Sequence, residues 1–111
     1  MSYKTEFPDY DDELHFEGFA DTSWHNDMCP SFHYDLGHGV GIRIWADYKD
    51  KARQEVPEWP RFGIDIMQDD ECIDHPVLVS DNLEEILQRV EKLKKDFANL
   101  TGPLVTLNRR A

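Results

Sequence analysis

Basic residues are scarce in this chain: 12 Lys and Arg stand against 23 Asp and Glu, a formal net charge of -11. That balance repels phosphate backbones and anionic lipid headgroups, which excludes free DNA, RNA and acidic membrane surfaces as direct ligands. Cysteine is scarce too. With 2 in 111 residues there is no disulfide framework of the kind small secreted domains need, and a reducing, cytoplasmic setting is expected. Long hydrophobic runs are missing, so no stretch approaches the roughly 18 apolar residues of a membrane span. The first twenty residues carry Glu6, Asp9, Asp11, Asp12, Glu13 and Glu17 and no apolar run, so no secretory leader is expected. Internal repeats and low-complexity tracts are also lacking.

What is present is enough for one core. The chain is 40% hydrophobic and holds Trp 3, Tyr 4 and Phe 6, too apolar for a disordered acidic tail. Its length fits one domain of the usual roughly 100–150 residues. A chain of that size buries roughly 60–70% of its unfolded surface. The expected organisation is a single domain over 1–111, with 1–12 a loosely ordered acidic segment and 103–111 a C-terminal tail. The charge is uneven. Residues 1–35 carry a net of -8, residues 36–80 a net of -4, and residues 81–111 a net of +1.

Periodicity supplies the fold class. Leu83, Ile86, Leu87, Val90, Leu93 and Phe97 keep helical spacing, with charged residues largely elsewhere, and predict a helix over 82–99. Asp81 with Glu84 is a capping-box variant, Ser80 the alternative cap, and Gly102-Pro103 the stop signal. Upstream the period is two. Phe32, Tyr34 and Leu36, then Val40, Ile42, Ile44, Ala46 and Tyr48, flank Gly37-His38-Gly39 and predict a β-hairpin over 31–48. Phe62, Ile64 and Ile66 predict a third strand. Residues 14–19 and 76–79 are weaker strand candidates, while 49–60 and 68–75 read as connections. The expected fold is α+β: an antiparallel sheet of about four to five strands with one C-terminal helix packed on one face. The helix covers Tyr34, Leu36, Ile42, Ile44, Ile64 and Ile66. The other face carries His33, Asp35, Arg43, Trp45, Asp47, Asp65 and Met67.

Motifs for chemistry are weak. His25, Cys29, His33 and His38 have a superficially zinc-like spacing. A strand would separate the last two, however, and neither CxxC nor HExxH occurs, so no metal and no cofactor are expected. Asp21, Thr22, Ser23, Asn26 and Asp27 suit a loop folded by side-chain to backbone hydrogen bonds. Cys29 as a nucleophile needs electropositive surroundings, and its neighbours are acidic. No nucleophile elbow is present, the glycine run at 37–41 lacks a following helix and lysine, and the acidic clusters lack EF-hand spacing. No catalytic residues are assigned, and the chain is not expected to be an enzyme.

Recognition remains. Interface hot spots favour Trp, Tyr and Arg. Trp45 alternates away from the core, and Trp59 lies in the long connection between Pro57 and Pro60. The expected partner-binding residues are Asp35, Trp45, Asp47 and Asp65 on the outer sheet face. Glu55, Glu58 and Trp59 in the connection follow, then Asp69, Asp70 and Glu71. The expected function is a small acidic inhibitor that docks on the basic, nucleic-acid-binding surface of another protein, with carboxylates standing where phosphates would. In size and acidity the chain resembles phage-encoded anti-CRISPR and anti-restriction proteins and the immunity partners of nuclease toxins. That likeness is one of class, covers no motif and transfers no residues. The alternative is a small ligand- or metal-binding domain, possibly enzymatic, centred on residues 24–38. An unpaired edge strand or an outward Trp45 also allows a homodimer.

Overall fold

The computed structural model describes residues 2–69 and 71–101. Its elements run α1 (Tyr3–Glu6), β1 (Ala20–Asp21), β2 (Ser31–Gly37), β3 (Val40–Ala46), β4 (Phe62–Gln68), β5 (Glu71–Ser80) and α2 (Leu83–Thr101), with a short 3-10 turn at Lys51–Arg53. The strands form one antiparallel sheet in sequence order, β1-β2-β3-β4-β5. This is the α+β architecture that the two periodicities predict. No helix among the described residues is long and apolar enough to cross a membrane.

Register turns the period-two pattern into a core. Phe32 pairs with Ile44 and Ile44 with Ile64, while Tyr34 pairs with Ile42 and Ile42 with Ile66. These rows meet Ile86 and Val90 of α2. Ile42, Ile44, Ile64 and Ile86 are fully buried, each contributing about 1.5–3 kcal/mol through burial. The β2–β3 turn places Gly37, His38 and Gly39 at φ 98°, 56° and 78°, a left-handed run that two glycines make accessible.

Several elements depart from expectation. Residues 68–75 are not a connection: β5 begins at Glu71, paired with Gln68. The reversal is tight because Asp69 takes φ 50°, which a short polar side chain tolerates, and its N–H donates to Gly39 O at 2.9 Å. Residues 14–19 form no strand. Phe16 and Phe19 both turn toward the aromatic cluster around Phe32 and Tyr34, so no two-sided alternation survives. Residues 2–12 are packed rather than loosely attached. Tyr3 and Phe7 are buried, Tyr3 stands edge-on to Phe32, and Tyr10 O–H donates to the carbonyls of Ala46 and Asp47. That segment joins the helix side of the sheet and leaves the outer face uncovered by it.

The helix starts on Asn82, whose Oδ1 accepts the Glu84 N–H at 2.9 Å. Ser80 Oγ accepts the Asn82 N–H and donates to Glu85. Asp81 faces the 49–61 connection instead, bonding Lys51 Nζ and accepting the Arg61 N–H. Leu83 and Leu87 belong to the predicted stripe yet stay exposed, while Ile86, Val90 and, partly, Leu93 pack into the core and half-buried Phe97 lies beside the His38 ring. Gly102-Pro103 and the tail over 103–111 lie outside the described residues.

Candidate functional site

Three exposed side chains mark one place on the outer face. Among the described residues the exposed large hydrophobics are Trp24, Met28, Trp59, Val79, Leu83 and Leu87, and Met28, Trp59 and Val79 line a single hollow of about 570 Å³. Concentrated apolar exposure of this kind marks a contact surface more often than scattered single residues do. Cys29, Trp45, Pro60, Phe62 and Gly63 complete its apolar lining, and Asp27, Asp47, Asp65 and Arg61 bring the charge.

Each wall is set by a local rule. Trp45 alternates outward from β3, opposite Ser31 on one side and Gly63 on the other. The glycine leaves the space beside the indole open. Trp45 Nε1 donates to Asp65 Oδ2 at 2.8 Å, which fixes the ring, and the Arg43 guanidinium lies 5.9 Å from its centroid. Trp59 is 53% exposed, but its backbone is held: Lys51 Nζ donates to Trp59 O at 2.8 Å, and Trp59 N–H reaches Val56 O. An exposed indole on a prepositioned loop loses little further freedom on binding. The 22–30 loop adds Asp27, Met28 and Cys29. It is tied back by Thr22 and Ser23, whose hydroxyls bond the Ser31 hydroxyl and backbone.

Electrostatics separates the carboxylates. Asp47 is 8% exposed, and its Oδ1 accepts the Tyr48 N–H at 2.8 Å. Burial holds its carboxyl above the usual range, with Glu55 adding to the effect and the Tyr48 N–H, Lys51 and Arg61 opposing it. Burial also pushes the Cys29 thiol well up, reinforced by Asp47 and Asp27, so it stays protonated at neutral pH and is a poor nucleophile. The Arg61 charge is already engaged. Its Nη2 donates to Asp12 Oδ2 at 2.9 Å and to Tyr10 Oη, and its Nε to Asp47 O. Burial alone would raise the Asp12 carboxyl, yet Arg61 and the Glu13 N–H hold it below its ordinary value.

Of the expected contact residues, Trp45, Asp47, Asp65 and Trp59 come together in this hollow. Asp47 and Asp65 are buried in its wall rather than standing free on the face, the latter at 5% exposure. Glu55 and Glu58 are exposed on the same connection but outside the lining. Asp35 and Asp69 sit at the opposite end, where the β2–β3 and β4–β5 turns lie side by side, with exposed Glu71 beginning β5. Asp35 Oδ1 accepts the Gly37 N–H there. Asp70 lies outside the described residues. The acidic set therefore divides into two ends of the sheet.

The residues of the alternative site scatter. His25 pairs with Glu6 at 3.0 Å, the His33 ring packs against Gly41, and His38 occupies a hairpin tip. Among the described residues no three His, Cys, Asp or Glu side chains are grouped to hold one ion. A second hollow of about 620 Å³ lies between residues 15–19 and α2, but Lys94 already spans it, 4.3 Å over the Tyr34 ring. Sequence reasoning placed Asp27, Met28 and Cys29 only in the alternative site over 24–38, and missed Pro60, Arg61, Phe62, Gly63 and Val79 as lining. A usable signal existed for Gly63 alone, a glycine at an outward position of a strand pairing with the tryptophan strand. Comparison with family models, curated proteins and solved structures finds no match to this chain.

Proposed function

We propose that this chain is a small acidic binding protein that docks, through the outer-face hollow and its rim, on the basic nucleic-acid-binding surface of a partner protein and blocks that surface. The observation that carries the reading is the hollow itself: two tryptophans, one held by Asp65 and one on a prepositioned loop, ringed by three aspartates on a chain of net charge -11. Aromatic anchors supply binding energy at an interface core, while opposite fields speed and orient the encounter. A blocked nucleic-acid surface is the natural target of that combination, because arginines and lysines that meet phosphates also meet carboxylates.

The second reading, a small-ligand domain centred on residues 24–38, draws support from Asp27, Met28 and Cys29, which do line the hollow. Affinity capture from host lysate, with and without nuclease, separates the two. The docking reading expects a basic nucleic-acid-processing protein retained after nuclease treatment, displaced by salt and lost with Trp59→Ala. Capture that disappears with nuclease, or that Trp59→Ala leaves unchanged, contradicts it.

A further inference from the structure

We infer that the hollow is a receptor for a single arginine side chain, inserted guanidinium first between Trp45 and Trp59. The inference rests on the docking reading and names what that surface grips. Volume allows it, since about 570 Å³ is within the roughly 300–1,000 Å³ of pockets that enclose small ligands. Charge favours a cation. Asp27 and Asp47 line the space beside Asp65, which already holds the Trp45 N–H and pairs in register with Arg43, and the Arg61 guanidinium is turned to Asp12 and Tyr10.

One group is left with unused capacity. Asp47 is more than nine-tenths buried, its Oδ1 takes the Tyr48 N–H, and no described residue donates to its Oδ2. The charged neighbours that act on it are Lys51, Glu55 and Arg61 from the connection, and it in turn acts on Cys29 from the 22–30 loop. Burial holds its carboxyl above the ordinary range, a cost that an incoming cation reverses. A carboxylate in a cleft with that environment is a candidate for ligand contact rather than for packing.

Arginine suits the walls better than lysine. Its guanidinium is planar, weakly hydrated and able to stack on an indole while forking to a carboxylate; an ammonium is compact and strongly hydrated. The fold already sets a guanidinium beside an aromatic ring twice, Arg43 5.9 Å from the Trp45 indole centroid and Arg61 4.6 Å from the Phe62 phenyl centroid. Gly63 supplies the opening. A Cβ placed there would meet Val79 Cγ1 at 3.7 Å, an ordinary contact, so a larger residue can be accommodated in the strand and fills the hollow instead.

The test is a titration of the 15N-labelled full chain followed at the tryptophan indole N–H signals, using N-acetyl-arginine amide, N-acetyl-lysine amide and the neutral N-acetyl-citrulline amide. The expected result is saturable movement of the Trp45 and Trp59 signals with the arginine probe. The lysine probe should bind about tenfold weaker and the citrulline probe should leave both signals in place. Gly63→Val should keep the dispersed spectrum and lose at least about tenfold in arginine affinity. No saturable shift, equal response to citrulline or lysine, or wild-type affinity in Gly63→Val would each overturn the inference. Failure of the docking reading looks different. Arginine binding without any salt-sensitive protein partner removes that reading and keeps the receptor, whereas a partner held equally by wild type and Gly63→Val keeps the reading and removes the receptor.

Discussion

A carboxylate that is largely buried and hydrogen-bonded through one oxygen destabilises the fold holding it, and Asp47 is such a group. Its carboxyl is raised in the folded chain, so ionisation is penalised there and not in the unfolded chain. The penalty is absent below the ordinary carboxylate range and fully present above the folded-state value. Asp47→Asn should therefore raise the thermal midpoint at pH 7 and leave it unchanged near pH 3; equal midpoints at both pH values would contradict the assignment. Asp12 has the opposite sign. Arg61 keeps it below its ordinary value, so its contribution is complete above the unfolded-state range and fades as pH falls through the depressed one. Asp12→Asn should cost about 1–3 kcal/mol in denaturant unfolding at neutral pH, the usual scale for a hydrogen bond to a charged group. The outward placement of Trp45 is legible in the sequence, because period two alone sets it against Ile42 and Ile44. The burial of Asp47 and Asp65 is not. It depends on the Trp45 indole bonding Asp65 and on the 22–30 loop and the connection bringing Cys29 and Arg61 beside Asp47, contacts that no local pattern encodes.

At the scale of elements, the helix tests how far a hydrophobic stripe can be trusted. Ile86 is fully buried, while Leu87, one position on, is more than a third exposed. Ile86→Ala should destabilise by about 2–5 kcal/mol and Leu87→Ala by less than about 1 kcal/mol, measured by chemical denaturation. Similar losses for the two would mean that α2 docks through a different face. The hairpin over 31–48 and the strand at 62–68 are readable because alternation and glycine turn chemistry agree. The reversal before β5 is hidden because Asp69, not a glycine, supplies the positive φ. The N-terminal segment is hidden for another reason: its acids suggest a solvated arm, while Tyr3, Phe7 and Tyr10 do the packing. A strand-level device also escaped notice. Gly41 lies under the His33 ring, where a Cβ would come within 2.6 Å of Nε2. Gly41→Ala should cost about 1–3 kcal/mol by thermal or denaturant unfolding. Adding His33→Ala should recover only part of that loss, because the Tyr34 carbonyl oxygen would still lie 2.9 Å from the new Cβ; full recovery would place all the strain on the His33 ring.

For the whole molecule, the distribution of charge matters more than its total. Any shuffling of the acids would leave the net charge of -11 unchanged, whereas the folded chain divides them between the hollow and the paired turn tips. The hollow adds what charge lacks, two indoles, that of Trp45 held by Asp65 and that of Trp59 carried on a tethered backbone, whose truncation is expected to behave as a hot spot of about 2 kcal/mol or more. The salt dependence of partner binding therefore reports the field, and the Trp59→Ala variant reports the grip. The decisive measurement is the dissociation constant of the captured partner at low and high salt, for wild type and Trp59→Ala. The account predicts at least about tenfold weakening between 50 and 300 mM salt, as screening shortens the field. Trp59→Ala should weaken binding by about thirtyfold at either salt. Binding unchanged by salt, or equal in the two proteins, would contradict an acidic surface anchored at the hollow.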